Sequence, residues 1–280
     1  MDWLRPAAAA LAALAIALPA AAQKDRNYEP QVGQAGKDVI WVPTPDAVVD
    51  RMLRMAQVTP DDYVVDLGAG DGKIAIAAAR KFGARALGIE YDPDMARHAQ
   101  RNVERAGVAA RARIVQGDIF LSDFSQATVV TMYLLPALNL KLRPQLLAMR
   151  PGTRVVSHSF SMDDWEADEV SSLDGRRAYF WVVPAGVAGA WTLELAGGGA
   201  ADKLELTLDQ RFQKIEGTVA LRNALGGLRD ARLRGFHIAF AYVDSNGVRR
   251  DFSGRVSGPR MQGAFRADDG TEGRWSAIKK

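Results

Sequence analysis

Short apolar runs alternate with segments of helical periodicity between Tyr63 and Pro184, and this alternation limits the possible folds more than any other feature. The apolar runs have the length and composition of buried strands. They are Tyr63–Leu67, Ala86–Glu90, Arg113–Gln116, Thr128–Tyr133 and Arg154–Ser157. Strands that alternate with helices form a parallel sheet with helices on both of its faces. The sequence therefore predicts an open α/β domain over residues 23–184.

The apolar pattern changes after Pro184, where apolar and polar residues alternate with a period of two. Trp191–Leu195, Leu204–Leu208 and Phe236–Phe240 show this alternation, and turn signals such as Asn246-Gly247 separate the segments. Roughly six to eight short strands of this kind are typical of a small antiparallel β-barrel or sandwich. We therefore predict a second, all-β domain over residues 185–280. Trp191–Leu195 would also fit as the last strand of the first sheet.

The first 22 residues resemble a secretory signal. Arg5 precedes an apolar run that ends at Leu18, and Ala20 and Ala22 are small residues suited to cleavage before Gln23. A transmembrane helix needs ~20 strongly apolar residues, and this stretch is shorter and mostly alanine. We therefore predict export to the periplasm, the alternative being an uncleaved N-terminus that anchors the chain to a membrane. We expect no integral membrane segment after the signal.

Composition excludes several kinds of chemistry. The 280 residues contain no cysteine, which excludes a thiolate nucleophile, an iron–sulfur cluster and a cysteine-built zinc site. The three histidines, His98, His158 and His237, lie far apart in the sequence, so we expect no metal site. The net charge is only +3 and neither half of the chain concentrates positive charge, which argues against a nucleic-acid partner.

A glycine-rich turn connects the first predicted strand to the helix that follows it. Gly68, Gly70 and Gly72 occupy this turn, where the backbone can approach a ligand closely and the N–H groups of the helix face it. Glu90 ends the next strand, at the position that accepts hydrogen bonds from ribose hydroxyls in dinucleotide folds. The turn and the acid together predict a site for a nucleoside-containing cofactor.

The spacing of the turn separates two candidate cofactors. The dinucleotide fingerprint places its third glycine at position 73, which is Lys73 in this chain. Asp66 and Asp71 flank the turn, and their carboxylates repel a pyrophosphate but suit a ligand that carries an amino group and a sulfonium. We therefore predict S-adenosyl-L-methionine (SAM) rather than a nicotinamide cofactor. A glycine turn that only packs the helix on the strand remains an alternative.

The segment Asp66-Leu67-Gly68-x-Gly70-x-Gly72 resembles motif I of the class I SAM-dependent methyltransferases. Glu90 resembles their ribose-binding acid, and Asp118 resembles the residue after strand three that contacts the adenine amino group. The resemblance implies a Rossmann-like methyltransferase sheet that binds SAM. The cofactor-binding residues that it implies are Asp66, Gly68, Gly70, Asp71, Gly72, Glu90 and Asp118.

The match is closer to one branch, the lysine methyltransferases that resemble the mitochondrial ATP-synthase c-subunit methyltransferase. Trp41–Pro45 matches a segment that this branch has before motif I, and Asp66–Ile74 is nearly its motif I. Arg154–Ser157, followed by Phe160 and Trp165, matches its fifth strand. The resemblance to Dot1-type lysine methyltransferases is more distant. The whole resemblance covers roughly residues 38–167 and implies N-methylation of a protein lysine or another amine, with a protein or a small molecule as the methyl acceptor.

The segment after the fourth strand departs from these families. Thr131–Pro136 contains neither the paired asparagines of Dot1-type enzymes nor the Asn/Asp-Pro-Pro-aromatic motif of amino-methylating DNA enzymes. Tyr133 in this segment is our candidate catalytic residue, as part of a wall that faces the substrate, and a core aromatic residue is the alternative. The missing acceptor group leaves a second functional hypothesis, an exported binding protein that keeps the methyltransferase fold without its activity.

Three further residues have two interpretations each. Trp41 and Thr44 precede the first strand and would close over the cofactor or form a purely structural lid. His158 follows the fifth strand near the expected active-site edge, where it would act as a general base or pack as a neutral core residue.

Overall fold

A computed structural model describes residues 28–196, 202–222 and 224–280. The predicted signal peptide, residues 1–22, lies outside the described residues. Among the helices of the described ranges, none has the length and apolar character needed to cross a membrane.

The first part of the described chain forms a sheet of seven strands with four helices packed on it. The elements are α1 (Asp46–Met55), β1 (Tyr63–Leu67), α2 (Lys73–Phe82), β2 (Arg85–Glu90), α3 (Pro93–Arg105), β3 (Ala112–Gln116), β4 (Val129–Met132), α4 (Pro136–Leu147), β5 (Arg154–His158), β6 (Glu169–Leu173) and β7 (Arg176–Val182). The strand order is β3-β2-β1-β4-β5-β7-β6, and β7 runs antiparallel to its neighbours β5 and β6. The predicted Rossmann-like α/β sheet is confirmed.

Strands β6 and β7 were not predicted as strands. They form a hairpin whose turn, Asp174-Gly175, has positive φ at both residues, 48° and 74°. This is the backbone conformation that an Asp-Gly pair favours between two antiparallel strands. Strand β6 lies at the sheet edge and exposes most of its residues, so it lacks the apolar run that marks the buried strands.

The parallel strands place their carboxyl ends along one edge of the sheet, and this edge holds the predicted site residues. In strand order the edge presents Asp118 after β3, Glu90 at the end of β2, the glycine turn after β1, Tyr133 after β4 and His158 at the end of β5. Residues that are far apart in the sequence therefore become neighbours in an open α/β sheet, where ligands bind outside the carboxyl ends of the strands.

Asp62 fixes the opposite end of the central strands. Its carboxylate accepts hydrogen bonds from the Thr59 amide at 2.8 Å and the Thr128 hydroxyl at 2.7 Å, and it pairs with Arg154 at the start of β5. Burial raises the pKa of Asp62, but these hydrogen bonds outweigh it and hold the pKa below its usual value. The ionised group therefore links β1, β4 and β5 at neutral pH.

The second part of the described chain forms an antiparallel sheet of nine strands. They are β8 (Gly189–Ala196), β9 (Asp202–Arg211), β10 (Lys214–Leu221), β11 (Ala224–Gly227), β12 (Arg229–Arg234), β13 (His237–Val243), β14 (Arg249–Ser257), β15 (Arg260–Ala267) and β16 (Glu272–Lys279). The two edge strands, β11 and β12, are separated only by Leu228, whose amide donates to the Gly217 carbonyl at 2.9 Å. The sheet therefore curls until its edges meet, and of the two predicted alternatives it is the barrel. Trp191–Leu195 belongs to this sheet, in β8.

Large apolar side chains fill the interior of the barrel. The rings of Phe240 and Phe252 stack at 4.8 Å, and Trp275 packs edge-on against both. The Trp275 indole donates to backbone carbonyls of Ser253 and Ala264 at 3.0 and 3.1 Å, so its buried N–H is satisfied. This interior is a packed core like that of other small barrels.

Candidate functional site

A cavity of about 330 Å³ lies at the carboxyl edge of the first sheet. The ends of β1, β2 and β4 and the residues after β3 form one side of it. The segment Gln34–Thr44 covers the other side. This segment folds back on itself through hydrogen bonds between Gly33 and Trp41 at 2.8 Å and between Trp41 and Gln34 at 2.9 Å. We call Gln34–Thr44 the strap.

The glycine turn is held against β2 and touches the strap. The amides of Gly68 and Ala69 both donate to the Ile89 carbonyl, at 2.9 and 3.0 Å. Gly70 has a φ of 52°, and a Cβ atom at this position would lie 2.6 Å from the indole nitrogen of Trp41. Glycine is therefore needed at position 70 both for the backbone conformation and for the approach of Trp41.

Both carboxylate oxygens of Glu90 accept hydrogen bonds from backbone amides, one of them in the glycine turn. Oε2 accepts from the Gly70 amide at 2.8 Å, and Oε1 accepts from the Asp92 amide at 3.0 Å. Burial raises the pKa of Glu90 despite these hydrogen bonds. The carboxylate at the end of β2 is thus fixed in place and faces the cavity.

Asp66 is a buried acid beneath the turn, only 2% exposed. It lies opposite Thr131 in the register of β1 and β4, and the Thr131 hydroxyl donates to Oδ1 at 2.7 Å. Burial raises the pKa of Asp66 to about 7, and the nearby carboxylates of Asp71 and Glu90 act in the same direction against the Thr131 hydrogen bond. A cation bound in the cavity would lower this pKa and draw Asp66 into its ionised form.

Asp118 forms an ion pair with the strap. Its Oδ2 atom lies 2.7 Å from the Lys37 ammonium, and its Oδ1 atom accepts from the Phe120 amide at 2.9 Å. The Lys37 ammonium also lies 4.4 Å from the centre of the Tyr91 ring. The hydrogen bond from Lys37 holds the pKa of Asp118 below its usual value. An adenine amino group at Asp118 would therefore share this carboxylate with Lys37 or replace it.

An aromatic wall closes the other end of the cavity. The ring of Tyr133 lies 4.0 Å from the ring of His158 and stacks on Phe160 at 6.2 Å, measured between ring centres. His158 is fully buried, and its Nδ1 atom lies 3.1 Å from the Thr44 hydroxyl of the strap. Burial, with a smaller effect of the Arg176 charge, lowers the pKa of His158 to about 4. This histidine is therefore neutral at physiological pH.

The structure brings most of the predicted site residues to one cavity. Those that line it are Asp66, Gly68, Gly70, Asp71, Glu90, Asp118 and Tyr133. Gly72 is not among the lining residues. It precedes α2 with a φ of 81°, and a Cβ atom there would lie 3.3 Å from Ala99 Cβ, so its evident role is to pack α2 against α3.

Sequence reasoning missed the tip of the strap. Lys37 and its contact with Asp118 had no signal in the sequence, because the strap has no periodic pattern and its place depends on tertiary packing. Asp38 in the strap also lines the cavity and was missed for the same reason. Asp92 lines the cavity too, and it was missed because its evident role in the sequence is to cap α3. Within the ranges that the structure describes, no three histidine or acidic side chains come together as metal ligands.

Known proteins share both the motif and the fold of this region. A family model described as the ANTKMT methyltransferase domain matches residues 66–169. A protein-lysine N-methyltransferase from Saccharolobus islandicus is 49% identical over 138 residues, and the match covers 49% of this chain and 86% of that protein. The chain belongs to the lysine-methyltransferase branch of the class I SAM-dependent methyltransferases. The family predicted from motif I and its flanking segments is confirmed.

Two further relatives of this methyltransferase differ in the substrate that their names give. The human lysine N-methyltransferase of the ATP synthase c-subunit is 30% identical over 132 residues, which is 47% of this chain and 56% of that protein. A crystal structure of an RNA methyltransferase from Salinibacter ruber in complex with S-adenosyl-L-homocysteine is 52% identical. It superposes with a TM-score of 0.51 over 52% of this chain and 96% of that chain. Nothing in these comparisons supports the alternative of a binding protein without activity.

The residues around the cavity fit SAM, and the predicted cofactor is confirmed by the family. Glu90 and Asp118 both line the cavity, and their predicted roles at the ribose hydroxyls and the adenine amino group stay predictions. Asp66 and Asp71 line the same cavity, and the carboxylates there would favour a ligand that carries an amino group and a sulfonium centre. The close contact between Gly70 and Trp41 shows that the strap is part of the methyltransferase site rather than a remote extension.

Proposed function

We propose that this methyltransferase transfers a methyl group to the ε-amino group of a protein lysine. The observation that carries the proposal is the 49% identity to a protein-lysine N-methyltransferase, over 86% of that protein. The charge of the cavity lining agrees with it, since six carboxyl groups and two ammonium groups line the cavity. Both lysines are already paired, Lys37 with Asp118 at 2.7 Å and Lys73 with Asp46 at 3.0 Å. An acidic lining attracts a cationic lysine side chain and repels the phosphates of a nucleic acid.

The aromatic wall prepares the lysine for transfer. An ammonium group must lose its proton to water before its nitrogen can act as a nucleophile, and an apolar environment favours the neutral amine. Tyr133, Phe160, Leu134 and Leu138 form such an environment at one end of the cavity. When bound, SAM supplies a methyl carbon on a sulfonium centre, which leaves as a neutral thioether as the nitrogen takes the methyl group. The chain's own contribution is to align the amine and to exclude water.

RNA is the competing acceptor, because the Salinibacter ruber relative is named an RNA methyltransferase. A nucleic-acid site needs basic side chains that can contact phosphates. The two lysines of the cavity lining are both paired with carboxylates, which supports a protein acceptor instead. A single labelling experiment compares the two acceptors.

We expect the purified chain, given methyl-labelled SAM and an extract of its own cells, to label protein and to leave RNA unlabelled. Acid hydrolysis of the labelled fraction followed by amino-acid analysis should then yield methyllysine. The Asp66→Ala variant is the matched control, because it keeps the cavity wall but removes a carboxylate from the cofactor site. Label in RNA, or in an amino acid other than lysine, would contradict the proposed substrate.

We also propose that the chain works outside the cytoplasm, on the strength of the signal-like pattern in residues 1–22. A fusion of residues 1–30 to a reporter that is active only after export should be active. The same fusion with Leu14 and Ile16 replaced by Arg should lose that activity, because charges interrupt the apolar run. A reporter that stays inactive with the native segment would refute export.

A further inference from the structure

The cavity lacks the group that many amine methyltransferases use to orient the attacking nitrogen. A neutral amine must point its lone pair at the methyl carbon, so an N–H group has to be held by a hydrogen-bond acceptor. The segment after β4 offers no amide or carboxylate for this purpose. Within β4 itself, the hydroxyl of Thr131 is already committed to Asp66 at 2.7 Å.

Thr44 supplies a hydroxyl at the aromatic wall. It lines the cavity, is 6% exposed, and reaches His158 Nδ1 at 3.1 Å. Two prolines flank it, and the carbonyl of Pro45 accepts the amides of Val48 and Val49 at 2.9 and 3.0 Å as α1 begins. The backbone around Thr44 is therefore held by α1 on one side, while its side chain is held by β5 through His158.

Within the part of the chain that the structure describes, the Thr44 hydroxyl is the side-chain hydrogen-bond partner of His158. Its ring is fully buried and lies against Tyr133, and its Nε2 atom has no hydrogen-bond partner among the described residues. A buried polar atom without a partner carries an energetic cost, so a histidine here calls for an explanation. Burial, with a smaller effect of the Arg176 charge, keeps the ring neutral at physiological pH, which makes it a poor proton acceptor but a stable hydrogen-bond partner.

We propose that the Thr44 hydroxyl accepts a hydrogen bond from the amine of the methyl acceptor and that His158 positions this hydroxyl. The inference rests on the proposed function, since it concerns an amine in the same cavity. A hydroxyl that donates its proton to Nδ1 turns its lone pairs toward the cavity. The neutral imidazole then carries its own proton on Nε2. Thr44 contacts the substrate, whereas His158 acts through Thr44 and takes up no proton in the reaction.

Two variants of Thr44 test its hydroxyl separately from its methyl group: Thr44→Val removes the hydroxyl and Thr44→Ser removes the methyl group. Thr44→Val keeps the shape and removes the acceptor, so kcat for a lysine substrate should fall roughly tenfold or more, with a smaller change in KM. Thr44→Ser should retain most of kcat. Thr153→Val is the control for replacing a buried threonine, because Thr153 precedes β5 and so lies at the amino ends of the parallel strands, away from the cavity. It should match the wild-type chain.

The tautomer of His158 gives a readout that does not depend on activity. Nitrogen-15 NMR of the histidine side chains in the free protein should show His158 protonated on Nε2, with Nδ1 as an acceptor, and Thr44→Val should shift the Nδ1 resonance. A ring protonated on Nδ1, or a Thr44→Val variant with wild-type kcat, overturns the inference. A Thr44→Val variant that loses SAM binding in a titration also overturns it, since Thr44 would then serve the cofactor.

The same assays distinguish failure of the proposed function from failure of the inference about Thr44. A wild-type chain that methylates no lysine overturns the proposed function and this inference together. A wild-type chain that methylates lysine, beside an unchanged Thr44→Val variant, overturns this inference alone.

Discussion

The Asp66→Asn variant should bind SAM roughly a hundredfold more weakly than the wild-type chain, because a hydrogen bond to an ionised group is worth ~1.5–3 kcal/mol. The reason lies in the burial of Asp66 beneath the glycine turn, where its carboxylate is the most desolvated negative charge of the cavity. A ligand with a sulfonium and an amino group gains most from a charge in that position. Asparagine keeps the size of the side chain and an oxygen for the Thr131 hydroxyl, so the variant removes the charge with little change in shape.

The same variant should remove the contribution of Asp66 to the pH dependence of stability. Asp66 has a pKa of about 7 in the folded chain, against an ordinary value of 3.8, so between pH 4 and 7 the folded state binds more protons than the unfolded state. The free energy of unfolding therefore falls as the pH rises through this window, by at most ~4 kcal/mol. Asparagine does not ionise, so the variant should be more stable than the wild-type chain at pH 8 in the absence of ligand.

Two measurements check both effects. Calorimetric titration with SAM at pH 6, 7 and 8 should show an affinity that rises with pH more steeply in the wild-type chain than in Asp66→Asn, because binding draws a proton from Asp66 in the wild type alone. Urea unfolding at the same pH values gives the stability. Asp61→Asn is the control, since Asp61 is an exposed neighbour of the first strand. If the SAM affinity changes equally with pH in the wild-type chain and in Asp66→Asn, Asp66 does not titrate in this range.

The Gly263→Ala variant should unfold the barrel. A Cβ atom at Gly263 would lie 1.9 Å from the Ser253 carbonyl oxygen and 2.6 Å from Gly254 Cα. Both atoms belong to the backbone of β14, which pairs with β15 at this point, so neither can move without breaking the ladder. Overpacking that the backbone cannot relieve costs ~3 kcal/mol or more.

Near-ultraviolet circular dichroism reports this loss through the tryptophans of the barrel core, Trp191 and Trp275. Their contribution to the signal should be lost in Gly263→Ala, while SAM binding at the edge of the first sheet should persist. Gly186→Ala is the matched control, because a Cβ atom there meets no heavy atom within 4 Å and its φ is not in the left-handed region. A Gly263→Ala chain with wild-type signal and unfolding midpoint would mean that the β14–β15 ladder is far more adaptable than its geometry indicates.

The sequence predicted the elements that have a local cause. The five buried strands, the glycine turn and the acids at the ends of β2 and β3 follow from apolar runs, turn residues and strand order, and all of them are found where they were expected. The β6–β7 hairpin was missed although Asp174-Gly175 is a strong turn signal, because exposed edge strands carry little apolar pattern. The strap was anticipated only in part: Trp41 and Thr44 were expected to cover the site and both line the cavity, but the path of the segment between Gln34 and Val39 was not predicted. Its position comes from Trp41 on Gly70, Lys37 on Asp118 and Thr44 on His158, three contacts between residues distant in the sequence.

The pairing of β8 with β16 can form only late in the synthesis of the chain. These are the first and last strands of the barrel, and Thr192 lies opposite Ile278. Because synthesis runs from the N-terminus, β8 has an open edge while the next roughly 75 residues are made, which takes about 4–15 s at ordinary translation rates. An open edge that carries Leu193 and Leu195 is a template for pairing with another chain. The nascent protein therefore depends on being kept apart from its neighbours during this interval, long after β7 has completed the first sheet.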